Sequence, residues 1–172
     1  CHLKETEDLG YFGYLTKNNF EVVDRKFKVS NGPAIDEKNN KLYFSDSFNS
    51  KVYQYNLKNF ERKTLIKFKK KDGFPDGIAL DNNNGLWVAH WAGAKVSRIN
   101  LKNGKIDFSI NLPSLNITSV TFIGNNLNHL FVTSAKYGVT GKLLRRYPHS
   151  GSSFIIKTDY KGVKIPYTNI NF

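Results

Sequence analysis

One stretch of this chain is written twice. Lys51–Asn59 (KVYQYNLKN) returns 44 positions on as Lys95–Asn103 (KVSRINLKN). Leu42–Asp46 (LYFSD) returns at the same spacing as Leu86–His90 (LWVAH), and 44 positions further as Leu130–Ser134 (LFVTS). Upstream, Asn31–Asp36 (NGPAID) matches Asp76–Asp81 (DGIALD) at a spacing of 45. Registers that agree in this way mean that the chain builds one small unit several times and buries each copy against its neighbours.

Within a unit the pattern is strand, polar turn, strand, short turn, strand. Ala34–Ile35, Leu42–Phe44 and Val52–Tyr55 are β-branched, aromatic or alternating, and clusters of Asn, Gly, Asp and Lys separate them. No segment keeps a 3.6-residue period long enough for a substantial helix, so an all-β fold is expected. An interval in the low to mid forties, with three or four short antiparallel strands per copy, is the spacing of a β-propeller blade. The 172 residues then hold about four blades at most, in one domain over residues 1–172. The first unit is short, with only Tyr11–Leu15 and Phe20–Val23 as strands, and the last carries an insertion, Lys136–Ser150.

Hydrophobic residues make 40% of the chain and charged residues 23%, the balance of a soluble globular domain. No apolar run reaches the roughly 18 residues of a membrane span, and no basic, apolar and small-residue leader is present. No membrane partner is therefore expected, and a cytoplasmic location is. The chain contains no methionine and reads as a piece of a longer protein. The single cysteine, Cys1, excludes an internal disulfide and zinc sites built on two or more cysteines. A net charge of +12 raises the question of nucleic acid. Yet only Arg25, Arg62, Arg98, Arg145 and Arg146 among the 26 basic residues are arginines, and the lysines sit among turn-like asparagines. The one dense run, Lys67–Lys71, reads as a solvated loop, and no nucleic-acid partner is expected.

Seven segments carry a more specific likeness: Ser30–Ala34 (SNGPA), Tyr43–Ser47 (YFSDS), Phe74–Asp81 (FPDGIALD), Gly85–Ala89 (GLWVA), Leu112–Pro113, Ile117–Gly124 (ITSVTFIG) and Leu130–Ala135 (LFVTSA). In this order and spacing they resemble the gluconolactonase, senescence-marker-protein-30 (regucalcin) and luciferin-regenerating-enzyme family, from about residue 10 to a closing Gly162–Lys164. The resemblance implies a six-bladed propeller, of which this chain supplies three and a half to four blades from the C-terminal side. It implies one divalent metal ion (Ca²⁺, Mg²⁺, Mn²⁺ or Zn²⁺) in the central channel, held by Asn31, Asp76 and a Glu of the first blade. That Glu has no counterpart here, nor has the family's Arg-x-Asn segment of the second blade. A further substrate-contacting Glu of the family is matched by Glu5, a position that Glu7 could equally claim. The implied reaction is hydrolysis of a small sugar lactone, with Asp76 as the base for water, in a protein that is a monomer or small homo-oligomer when intact. The same fold also admits a non-catalytic calcium-binding or regulatory propeller, or an interaction scaffold.

The repeat points to two of these positions independently. Asn31 and Asp76 stand at the same place in successive units, at the entrance to the strand that opens each blade, where equivalent residues converge on the channel. An amide oxygen and a carboxylate are hard ligands suited to Ca²⁺, Mg²⁺ or Mn²⁺. The third equivalent, Ile117-Thr118-Ser119, offers hydroxyls at most. Plainer readings stand beside each feature. Asn31-Gly32 and Pro75-Asp76-Gly77 are ordinary turn sequences, and Asp46 and Ser47 suit a cap or turn hydrogen bond. His90, at a strand end, is a secondary candidate for touching substrate. Asp81–Gly85 starts like a calcium loop but lacks the later ligands and reads as a turn. Asn116-Ile117-Thr118 fits a glycosylation acceptor, and Trp87 and Trp91, on one strand face, read as packing. Part of a ring exposes strand edges, so residues 1–172 alone are expected to self-associate and to be inactive.

Overall fold

A computed structural model describes residues 8–17 and 19–165. The expected all-β architecture is present. β1 (Gly10–Leu15) and β2 (Phe20–Phe27) form an antiparallel hairpin. β3 (Ser30–Asp36), β4 (Lys41–Asp46), β5 (Lys51–Asn56) and β6 (Arg62–Lys67) form blade A. β7 (Phe74–Leu80), β8 (Gly85–Trp91), β9 (Lys95–Asn100) and β10 (Lys105–Asn111) form blade B. β11 (Asn116–Ile123), β12 (His129–Ala135) and β13 (Phe154–Lys157) form blade C. Every blade is a meander in sequence order. The opening strands lie side by side, β3 against β7 and β7 against β11, so that they line a common axis. This is the geometry of a partial propeller.

Blades packed face to face leave no solvent side to their middle strands, and the sequence shows it. In β4, Leu42 and Phe44 join Phe27, Tyr53 and Tyr55 in a core beneath the hairpin, while Tyr43 points the other way. In β8, Leu86 and Val88 pack with Tyr43, Val52 and Ile99 between blades A and B. Trp87 and Ala89, on the opposite face, pack with Val96, Ile117, Leu130 and Val132 between blades B and C. A strand buried on both faces reads as an unbroken apolar run instead of an alternating one. That explains LYF and LWVA.

The polar turns recur with the strands. Asn56 Oδ1 accepts from Lys58 N at 2.9 Å, and Asn100 Oδ1 from Lys102 N at 3.0 Å, the same Asx turn one repeat apart. Asn40 and Asn84 hold φ of 52° and 54°, a left-handed conformation that asparagine tolerates. The fourth strands, β6 and β10, go beyond the three strands per unit that the sequence displays. They lie at the outer edge with no fully buried residue, although Ile106, Phe108 and Ile110 alternate along β10 and Leu65 and Ile66 of β6 pack against the core between blades A and B. The insertion in blade C contains a short helix, α1 (Gly141–Arg146). Among the described residues, no helix is long and apolar enough to cross a membrane.

Candidate functional site

The opening strand of each blade is interrupted at one place. In β3, Asn31 pairs with Ser45 and Ala34 with Tyr43, so Gly32 and Pro33 face only Phe44. In β7, Pro75 pairs with His90 and Ile78 with Val88, leaving Asp76 and Gly77 opposite Ala89. In β11, Ile117 pairs with Ser134 and Ser119 with Thr133, leaving Thr118 unpaired. Each is a β-bulge, which bends the strand and re-aims a side chain. Counting from the aligned positions Asp46, His90 and Ser134 makes Asn31, Asp76 and Thr118 the same residue of three successive blades.

The glycines beside them permit close approach. Gly32 has φ of +98°, and a side chain there would meet Ile78 at 3.0 Å. A Cβ on Gly77 would lie 2.8 Å from the Ser119 Cα, closer than real contacts allow. β7 and β11 therefore meet almost backbone to backbone, and β3 lies directly on the Ile78 side chain of β7. Between them lies a cleft of about 370 Å³, lined by Asn31, Asp76 and Thr118 with their strand neighbours, and by Ile165 from the tail of the chain.

Asn31 is oriented by a residue that the sequence offered only as a cap. Its Nδ2 donates to Ser47 Oγ at 2.8 Å, and the Ser47 amide is tied to Val29 O. The Oδ1 of Asn31 accepts no hydrogen bond among the described residues. Asp76 sits half-buried, and burial pushes its carboxyl up to about 6, with the Gly77 amide pulling partly against it. Although the chain carries a net charge of +12, no Lys or Arg among the described residues lines the cleft. A carboxylate raised by desolvation, with no cation beside it, is an acceptor for a bound cation or a proton. Thr118 Oγ1 shares a 2.7 Å hydrogen bond with Thr133 Oγ1, and Ser119 and Thr121 add further hydroxyls to the lining. Asn31 Oδ1 and Asp76 thus fit part of a hard-cation shell, though among the described residues no three His, Cys, Asp or Glu side chains group to hold a metal.

The other sequence candidates fall elsewhere. Glu5 and Glu7 lie outside the described residues. His90 is fully buried against Phe68, with ring centroids 4.8 Å apart, and does not line the cleft, so it is not placed to touch a substrate there. Neither of its ring nitrogens finds a hydrogen-bond partner among the described residues. Desolvation, and then Lys95, push its imidazole down to about 4. Asp46 is a cap, accepting from Lys28 N and Val29 N at 3.2 Å and from Asn49 Nδ2 at 2.8 Å. Asp81 closes the turn before Gly85 and binds Trp87 Nε1, Arg98 Nε and Arg98 Nη2 at 2.8, 2.7 and 3.1 Å. The sequon residue Asn116 is only 3% exposed and donates to Tyr137 O at 2.8 Å, so it is no glycan acceptor. Trp87 is packing, as read from the sequence, whereas Trp91 stays half-exposed at the strand end.

A model of the SMP-30/Gluconolactonase/LRE-like region matches residues 3–136. Regucalcin of Xenopus laevis is 35% identical over 151 residues, which cover 85% of this chain and 48% of that protein. The crystal structure of a calcium-binding protein, regucalcin, from Agrobacterium tumefaciens superposes with a TM-score of 0.84 at 19% identity, over 95% of this chain and 57% of that one. A gluconolactonase from Xanthomonas campestris superposes with a TM-score of 0.58 at 20% identity, over 71% and 40%. The chain spans about half the length of the curated relatives it matches. The matched region holds Asn31, which borders the bulge of β3, and the bulge that carries Asp76, and on that match the chain belongs to the SMP-30/gluconolactonase/LRE-like family.

Proposed function

We propose that the intact protein hydrolyses a sugar lactone in this cleft, with Asp76 as general base and Asn31 and Asp76 among the ligands of a divalent cation. The observation that carries the reading is that Asn31 and Asp76, from equivalent positions of blades A and B, line one cleft in which, among the described residues, no basic side chain lies and nothing donates to Asn31 Oδ1. The Asp76 carboxyl, raised by burial in the metal-free protein, comes back down beside a bound cation, which keeps it ionised and able to accept a proton. When bound, the cation supplies Lewis-acid polarisation of the lactone carbonyl and orients water. Asp76 takes a proton from the attacking water as the new C–O bond forms. It returns that proton to the ring oxygen as the ester C–O bond breaks, giving the aldonic acid. Asn31, its amide pinned by Ser47, keeps its oxygen in a fixed position and stays neutral. A gluconolactonase and a calcium-binding regucalcin are among the similar proteins, which supports both halves of the reading.

The test is a pH-stat assay of the full-length protein on glucono-δ-lactone with Ca²⁺, Mg²⁺, Mn²⁺ or Zn²⁺, alongside calorimetric titration of each ion. Asp76→Asn is expected to lower kcat by about 10²–10⁴-fold and to weaken ion binding. Ion binding that depends on Asp76 without turnover of any lactone would instead make the protein a non-catalytic calcium binder. Indifference of both binding and turnover to Asp76 and Asn31 would leave a scaffold.

A further inference from the structure

The same end of the blades that carries Asn31, Asp76 and Thr118 also carries a row of partly exposed aromatic rings. Phe48 follows Ser47, which holds the Asn31 amide, and its ring lies 5.6 Å from that of Phe74 at 57°. Phe74 stands two residues before Asp76 and pairs across the strands with Trp91. The Trp91 ring lies 6.3 Å from that of Tyr137 at 42°, and the Tyr137 carbonyl accepts from Asn116, two residues before Thr118. Asn31, Asp76 and Thr118 are thus each linked, along the chain or through one hydrogen bond, to an aromatic residue of their own blade.

These rings do not behave as core. The buried aromatics Tyr43, Tyr55 and Trp87 are at most 1% exposed, whereas Phe48, Phe74 and Trp91 are half-buried and Tyr137 is 69% exposed. Two ring pairs, Phe48 with Phe74 and Trp91 with Tyr137, joined by the pairing of Phe74 with Trp91, thus flank the polar cleft's end of the strands, and exposed apolar surface rimmed by polar groups marks a ligand groove. We propose that this arc is a subsite for a second sugar ring, so that the lactone taken by the cleft is the terminal unit of a disaccharide or longer saccharide. The assignment rests on the lactonase reading for the first ring only. The chemistry of the arc selects its ligand. A wholly apolar group needs an enclosed apolar pocket, but these rings are tilted to one another and open to water. A pyranose presents C–H faces to the rings and hydroxyls at its edges. Trp91 and Tyr137 have matching character, each an apolar body with a polar tip.

The experiment compares calorimetric binding of cellobionic and gluconic acids to the full-length protein, together with kcat/KM on the two corresponding δ-lactones. Cellobionate is expected to bind about tenfold tighter than gluconate. Tyr137→Ala should remove that preference, while Tyr137→Phe keeps it, because the ring and not the hydroxyl makes the contact. Thermal melts of the variants report whether the fold survives, as the exposure of Tyr137 leads one to expect. Equal binding of the two acids, or a preference untouched in Tyr137→Ala, overturns the subsite. Tighter cellobionate binding in a protein that opens neither lactone upholds the subsite and overturns the lactonase reading. Turnover of gluconolactone with no preference for the disaccharide does the reverse.

Discussion

Two titratable groups in blade B pull stability in opposite directions over the same pH range. His90 has a folded pKa of about 4 against an ordinary 6.5, so an unfolded chain binds its proton first as pH falls. Its contribution is intact above pH 6.5 and is lost between 6.5 and 4, on the order of 2 kcal/mol for a group buried this fully. Asp76 has a folded pKa of about 6, raised from 3.8, so the stability it contributes is present below 3.8 and lost as pH rises through 6. Its partial exposure screens that effect to on the order of 1 kcal/mol. In the metal-free protein, urea unfolding across pH 4–7 should therefore show a shallow dependence. His90→Leu should tilt it so that stability falls as pH rises, while Asp76→Asn should tilt it the other way and stabilise the protein near pH 7. Parallel profiles for wild type and both variants would contradict the two assignments. Asn31 and Asp76 were legible from the repeat because they fall in register. Neither the burial of His90 nor the hold of Ser47 on Asn31 was legible, since each depends on which side of a strand end faces the neighbouring blade.

At the scale of strands and turns, the most concentrated polar packing lies at the far end of β7 from Asp76. The Asp81 carboxylate receives the Gly85 amide, the Trp87 indole and two nitrogens of Arg98, and the Arg98 guanidinium also pairs with Asp107 and lies 4.2 Å from the centre of the Tyr160 ring. The side chain of Asp81 is 0% exposed and that of Arg98 4%. Removing one partner of such a pair strands the other charge, so Asp81→Ala should cost about 3–5 kcal/mol in denaturant titration. A loss below about 1 kcal/mol, the range of exposed pairs, would mean that Arg98 finds another partner. The turn itself was readable from Asp81–Gly85, but its partners on β9 were not. The bulges at Gly32-Pro33 and Asp76-Gly77 left a glycine and proline mark that also suits a turn, whereas the one at Thr118 left none. Thr118 becomes the equivalent of Asp76 only once the pairing of β11 with β12 is known.

For the whole molecule, the alternation of sheet, core and sheet stops at two faces. The hairpin leaves Tyr11 56% and Leu15 81% exposed, and β13 leaves Ile155 65% exposed. Produced by itself, the 172-residue chain is expected to self-associate with rising concentration in sedimentation experiments, and Leu15→Lys with Ile155→Lys should reduce it. A monomer at all concentrations would mean that these faces are already satisfied. The blade count and all-β character were plain in the 44-residue interval, whereas the outer strands β6 and β10 were not, because they do not recur as matching text: RKTLIK bunches its apolar residues and KIDFSIN alternates them.

The shared bulge has a further consequence. Asn31, Asp76 and Thr118 sit at one backbone position that the three inter-blade cores do not use. Their identities can change without repacking a blade, as the amide, acid and hydroxyl already found there show. A ring built in this way writes its chemistry in a few interchangeable letters, one per blade, on a page that the rest of the fold keeps still.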